Sequence, residues 1–332
     1  MPAPRARFHV APWRSAPGAR ILNTMLTAIG NTPLVRLSRI VPQGAADVWV
    51  KLEYYNPTGS YKDRMALSMV ERAEQRGTLK PGMTVVEYTG GSTGISLAFV
   101  CAVKGYRCRI VCNDAVALEK RRSMEVFGAE LEVLKSEGGK LTPDLVPRMM
   151  ARAREIAAEG PCYATDQMRN PDMVAGYEPL GEELLRQMGG SIHAFCAAVG
   201  TSGMLMGTSR VLRRTNPATY IVALEPATSA VLSGGTPGRH GVEGVAPGFV
   251  PPQFDRAQVS ETRAIDETEA RRMAWTLARQ EGLFAGTSTG LNVVAALQLA
   301  RELGAGKTVV TVAVDSGLKY LAGDLYAEAA TK

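Results

Sequence analysis

Apolar positions along the chain gather into short β-branched runs separated by longer stretches with helical spacing. The runs at 48–52, 84–88, 108–112, 131–134, 193–199, 220–225 and 308–314 predict strands. The stretches at 63–76, 95–104, 118–127, 145–158, 177–187, 205–214, 267–280 and 291–303 predict helices between them. Such alternation is the signature of βαβ units, so the pattern predicts an α/β fold with buried parallel sheets.

Two stretches interrupt the rhythm. Around 160–170 the chain turns to Gly, Pro, Asn and Asp, which predicts a domain junction. From 233 to 252 it is again rich in Gly and Pro, and a loop of that length inside a compact domain is more often functional than a linker.

Composition narrows the classes. At 332 residues the chain suits two medium domains or one large α/β unit, and 45% hydrophobic with 21% charged residues argues against disorder. The net charge of +6 is scattered among acids with no basic stripe interleaved with aromatics, so no nucleic-acid partner is expected. No apolar run reaches the roughly 18 residues that span a bilayer, so no membrane partner is expected either. Five cysteines, Cys101, Cys108, Cys112, Cys162 and Cys196, form no C-x-x-C pair and mostly lie in apolar runs, as in a reducing, cytoplasmic compartment. His9, His193 and His240 lack ligand spacing, so no metal site is expected. The first 46 residues hold no acid and carry Arg5, Arg7, Arg14 and Arg20; a loose basic extension over 1–20 is expected, with a targeting segment as the alternative.

Three segments could carry chemistry. Asn56 to Arg64 follows a strand and opens a helix, with Ser60 and Asp63 spaced as a cap and its reciprocal acid. Lys62 therefore falls in the first helical turn, where the helix dipole opposes a cation, and an amine placed there can form a Schiff base with an aldehyde. Alone, it reads more readily as a solvated surface lysine. The loop Thr89, Gly90, Gly91, Ser92, Thr93, Gly94 joins a strand to an apolar helix, so backbone N–H groups and hydroxyls suited to a carboxylate or phosphate meet there, unless it is simply a tight turn. Gly200, Thr201, Ser202 and Gly203 repeat that design after another strand. A further hydroxyl cluster, Gly286 to Gly290, precedes a helix and would by itself pass for an ordinary cap.

Together with IGNTPLVRL at 29–37, KLEYYNPTGSYKDR at 51–64 and VDSGLKYL at 314–321, these motifs resemble the cysteine synthase and cystathionine β-synthase family of fold-type II pyridoxal-phosphate enzymes. The resemblance runs from about residue 29 to 326. It implies a two-domain, tryptophan synthase β-like α/β fold, each domain a mostly parallel sheet flanked by helices. Residues 46–164 would form the smaller domain, and 21–45 with 165–332 the larger, phosphate-binding one. It implies pyridoxal 5'-phosphate as cofactor, Lys62 as its Schiff-base lysine and mover of the α-proton, and Gly200, Thr201, Ser202 and Gly203 as its phosphate cradle. Ser288 would face the pyridine nitrogen and Ser92 the cofactor. Thr89, Gly90, Gly91, Ser92 and Thr93, with Gln167, would hold the substrate carboxylate. A homodimer acting on a small amino acid and a small nucleophile such as sulfide is implied as well.

The expected reaction is β-replacement on an activated serine such as O-acetylserine, giving cysteine or a related amino acid. A β-eliminating lyase, as a cysteine desulfhydrase or serine/threonine dehydratase, is the alternative, and a catalytically silent binding paralogue the third reading. The chain departs from the family pattern at Gly90 and Ser92, where cysteine synthases usually have Ser and Asn, and at Ser202 and Met204, where Gly and Thr are usual. Arg239 stands where proline is common and could meet an anionic group or simply be solvated.

Overall fold

A computed structural model of the chain describes residues 22–136 and 144–327. The expected extension over 1–20 lies outside the described residues. In chain order the elements are β1 (Leu34–Arg36), β2 (Asp47–Leu52), α1 (Lys62–Arg76), β3 (Thr84–Tyr88), α2 (Ser92–Lys104), β4 (Arg107–Asn113), α3 (Leu118–Val126), β5 (Glu130–Leu134), α4 (Leu145–Ala158) and β6 (Cys162–Ala164). They continue with α5 (Pro171–Ala175), α6 (Glu178–Met188), β7 (Ala194–Ala198), α7 (Gly203–Thr215), β8 (Tyr220–Pro226), β9 (Glu261–Ile265), α8 (Glu267–Thr276), α9 (Thr287–Leu303) and β10 (Thr308–Ala313).

The strands form two sheets. One has six strands in the order β1-β2-β10-β7-β8-β9, parallel except for β1, and the other has four parallel strands in the order β5-β4-β3-β6. Central strands are buried along their whole length, as β3 and β7 are, because helices cover both faces. The predicted α/β architecture with parallel sheets is thus observed.

One expected boundary is corrected. Residue 46 does not open the smaller unit, because β2 pairs with β10 through six residues, from Asp47 opposite Thr308 to Leu52 opposite Ala313. Val48 and Val50 are fully buried in the core of the six-stranded sheet. A parallel partner so distant in sequence leaves no local signal. The proposed junction at 160–170 contains β6, an edge strand of the four-stranded sheet.

The sheet that carries β7 and β10 opens at one end. These neighbours pair only at Val309 with Ala194 and Val310 with Phe195, near their start. Further along, the buried Asn292 of α9 reaches between them, accepting from the Ala198 N–H (2.8 Å) and donating to the Val312 carbonyl (2.8 Å). Thr311 Oγ1 donates to the Cys196 carbonyl (2.7 Å). Side chains thereby satisfy backbone groups that a ladder would otherwise pair, and a crevice opens at the carboxyl ends of the strands.

Candidate active site

The crevice gathers loops that follow β2, β3, β7 and β10. Lys62 is the first residue of α1 and is 7% exposed. Its Nζ lies 4.6 Å from the centroid of the Tyr61 ring and makes no hydrogen bond or ion pair among the described residues. The cap differs from the expected reciprocal pair. Ser60 Oγ accepts from the Lys62 N–H (3.3 Å), but the Asp63 carboxylate turns to Thr58, accepting from its N–H (2.8 Å) and Oγ1 (2.5 Å). Asp63 therefore folds the preceding loop onto the helix. Two backbone contacts fix that loop from the other side: Tyr61 N–H donates to the Val314 carbonyl (3.1 Å) and Ser316 N–H to that of Gly59 (3.0 Å).

Beneath Lys62 lies a buried charge network. Arg64 binds Glu53 (2.7 Å) and Glu183 (2.8 Å), and Lys51 binds Glu183 (2.6 Å) and the Thr32 carbonyl (2.7 Å). Burial alone would raise the Glu183 pKa, but the bonds and charge of Arg64, with Lys51, outweigh it and hold Glu183 down at about 2. Gly30 of the IGNTP motif fits against the network, since a Cβ there would stand 3.0 Å from Glu183 Oε1 and 3.1 Å from Arg64 Nη1.

The loop after β3 turns on its own hydroxyl, the Gly91 N–H donating to Thr89 Oγ1 (3.2 Å). Ser92 is the first residue of α2. Thr93 Oγ1 donates to Gln167 Oε1 (2.7 Å), and Gln167 Nε2 donates to the Tyr88 carbonyl (3.1 Å), so Gln167 is tied to the loop. Behind them Glu87 accepts from Thr165 Oγ1 (2.6 Å) and from the N–H groups of Gln167 (2.9 Å) and Tyr88 (2.9 Å). Burial nevertheless raises its pKa to about 7.

Gly200 to Leu205, with Tyr61 and Ala198, line a small pocket. Gly200 is needed there, as a Cβ would run into the Gly244 carbonyl oxygen. Ser202 adopts φ 71°, the left-handed region that glycine enters freely, which accounts for the glycine usual at this place. Its buried hydroxyl has no partner among the described residues, and that of Thr201 has only Met173 sulfur (3.5 Å). Unsatisfied hydroxyls beside the first turn of α7, whose N–H groups lack helical partners, form an anion seat. These residues fit the phosphate of pyridoxal 5'-phosphate. Ser288, in the first turn of α9, is buried, and its hydroxyl makes no hydrogen bond among the described residues. Arg239 is exposed on the loop before His240.

Sequence reasoning missed a charged cluster at the crevice. Lys319 Nζ donates to Ser92 Oγ (3.3 Å), and Asp315 accepts from Tyr320 OH (2.9 Å). Lys120 of α3 lies over the Tyr320 ring and pairs with Glu243. The only signal was VDSGLKYL, which served as a marker of resemblance without any role for its lysine. Among the described residues no group of three His, Cys, Asp or Glu could hold a metal ion, and no helix is long and apolar enough to cross a membrane.

Comparison with known proteins agrees with this geometry. Residues 25–315 match the family described as pyridoxal-phosphate dependent enzyme. A cysteine synthase of Staphylococcus aureus is 43% identical over 302 residues, covering 90% of this chain and 95% of that protein. Among solved structures, a cysteine synthase from Entamoeba histolytica superposes with a TM-score of 0.86 at 35% identity, covering 95% of this chain and 93% of that one. An O-ureido-L-serine synthase gives 0.85 at 36%, covering 92% and 96%. Matched by the family model over residues 25–315 and by these relatives along nearly its whole length, the chain belongs to the pyridoxal-phosphate dependent enzymes and is one of the cysteine synthase type.

Proposed function

We propose that the enzyme replaces the β-substituent of an activated serine, O-acetylserine or a close analogue, with a small nucleophile such as sulfide, giving cysteine or a related β-substituted alanine. The observation that carries this reading is Lys62: a buried, unpaired amine at a helix start, beside an anion seat and a hydroxyl-rich loop. When bound, pyridoxal 5'-phosphate supplies an electron sink for the bonds to the substrate's Cα.

The chain's own residues do the rest. Lys62 holds the cofactor through Nζ and moves the proton at the substrate's Cα. Gly200, Thr201, Ser202 and Gly203, with the first-turn amides of α7, bind the phosphate. Thr89 to Thr93, braced by Gln167, bind the substrate carboxylate, fixing the Cα–H bond relative to Lys62. Ser288 would present its hydroxyl to the pyridine nitrogen. A hydroxyl does not favour a protonated ring as a carboxylate would, which suits chemistry at the β-carbon more than transamination. The substrate lies in the crevice between the two sheets, where closure excludes water. The active unit is a homodimer, and a monomeric mass by analytical ultracentrifugation would correct that.

Incubation with candidate donors, with and without sulfide, and mass spectrometry of the products tests the reaction. A sulfide-dependent cysteine product is expected. Pyruvate and ammonia formed at the same rate without sulfide would replace this reading with that of a lyase. Lys62→Ala is expected to lose the visible absorbance of the bound cofactor together with activity.

A further inference from the structure

Lys319 stands apart from the other charged groups of the crevice. Lys120 is consumed by Glu243, and Asp63 by Thr58. Lys319 forms no ion pair among the described residues, and its one side-chain hydrogen bond runs across the crevice to Ser92 Oγ (3.3 Å). Ser92 Oγ has no other partner among the described residues. The lysine is well placed to hold that bond. Its segment is tied down by the Ser316 N–H to the Gly59 carbonyl (3.0 Å) and the Gly317 N–H to that of Phe284 (3.1 Å). Gly59, at φ 72°, brings its backbone close, so that a Cβ there would stand 3.6 Å from Lys319 Cε.

An ammonium only donates, whereas a hydroxyl both donates and accepts. While Lys319 is charged, Ser92 Oγ must accept from it, and the single Ser92 hydrogen has to point elsewhere. We propose that Lys319 is a positioning residue: by donating to Ser92 Oγ it turns the Ser92 O–H into the crevice, as a donor to an acceptor atom of the bound cofactor or amino acid. This rests on the reading that Ser92 faces those groups.

The device is sensitive to pH. A neutral amine can also accept, which frees the Ser92 hydrogen to turn back towards it. The groups acting on Lys319 are Asp315 from its own segment, Asp63 from α1 and Lys120 from α3, with Glu243 and Tyr320 around Asp315. Burial lowers the Lys319 pKa from its ordinary value, Asp315 and Asp63 oppose that, and Lys120 adds to it. The directed donor is therefore lost as pH rises, at lower pH than for an exposed lysine.

The test follows the visible absorbance of the cofactor-loaded enzyme against pH, with the KM for the amino-acid donor, in wild type, Lys319→Met, Lys319→Arg, Ser92→Ala and the Lys319→Met/Ser92→Ala double variant. Lys319→Met and Ser92→Ala are expected to shift the band in the same direction and to raise KM by similar factors, about fivefold to tenfold for one lost hydrogen bond. The double variant should match either single one. Lys319→Arg should keep the neutral spectrum and lose its alkaline change. Effects of the two single variants that multiply, or a Lys319→Met enzyme with wild-type band, pH profile and KM, would overturn the proposal. If Lys319→Met does not fold, retention of the alkaline change in Lys319→Arg would overturn it equally. Failure of the wild type to bind the cofactor at all would overturn the underlying reading as well, whereas a normal band indifferent to Lys319 removes this proposal alone.

Discussion

At the scale of single residues, two positions carry a measurable conflict between conformation, burial and role. Ser202 holds a left-handed backbone that costs an L-residue about 1–2 kcal/mol, and offers in return a buried hydroxyl with no partner among the described residues. Ser202→Gly should leave the stability of the cofactor-free protein within about 1 kcal/mol, because relieved strain and added chain entropy oppose each other. It should weaken cofactor binding about tenfold or more, the worth of a hydrogen bond to a charged group, as read by spectrophotometric titration. Glu87 is the second position. Its folded pKa of about 7 lies above the 4.5 of the exposed group, so between those values the folded state holds a proton that the unfolded state has released. Stability should therefore fall as pH rises through that window, by an amount on the order of 3 kcal/mol. Urea melts at pH 5 and 7.5 check this, and Glu87→Gln should flatten the difference. Gln167 was named as a candidate only through the family resemblance, since no local pattern around it points to a role. Glu87 was hidden at the end of a strand that reads as core.

At the scale of elements, the start of α1 depends on charges that no local pattern discloses. Lys51, Glu53, Arg64 and Glu183 come from β2, the turn after it, α1 and α6, and only the fold makes them a network. Removing one buried partner leaves the others uncompensated, so Glu183→Ala is expected to cost about 3–5 kcal/mol in chemical denaturation. A smaller loss would mean that water or Gln187 replaces the carboxylate. Close packing gives a second prediction. Gly207 of α7 lies against the Val174 carbonyl oxygen and 3.0 Å from Tyr177 Cβ when a Cβ is placed on it, so Gly207→Ala must push α7 away from α5. A loss of about 1–3 kcal/mol is expected in the same melts. The strands missed from sequence have one physical cause. β1, β6 and β9 are all edges, short or polar, and an edge strand needs no continuous apolar run. The interior strands and long helices were readable because burial on both faces, or along one helical face, writes itself into the local pattern.

At the scale of the whole molecule, the α/β architecture and the loops of the candidate site were legible because each loop follows a strand and precedes a helix. The pairing of β2 with β10 was not, and neither was the approach of residues 314–320 to residues 59–61, since both join segments more than 240 residues apart. The crevice itself depends on Asn292, whose amide replaces the strand pairing that β7 and β10 abandon. Asn292→Leu would leave the Ala198 N–H and the Val312 carbonyl buried and unpaired, at about 1–3 kcal/mol for each. Because a side chain of the scaffold props these strands apart, the opening does not wait for its occupant. The protein should arrive at its cofactor preorganised, and cofactor binding should spend little of its free energy on rearrangement. Hydrogen exchange at Ala198 should then be slow with and without cofactor, marking a binding site that is complete before anything is bound.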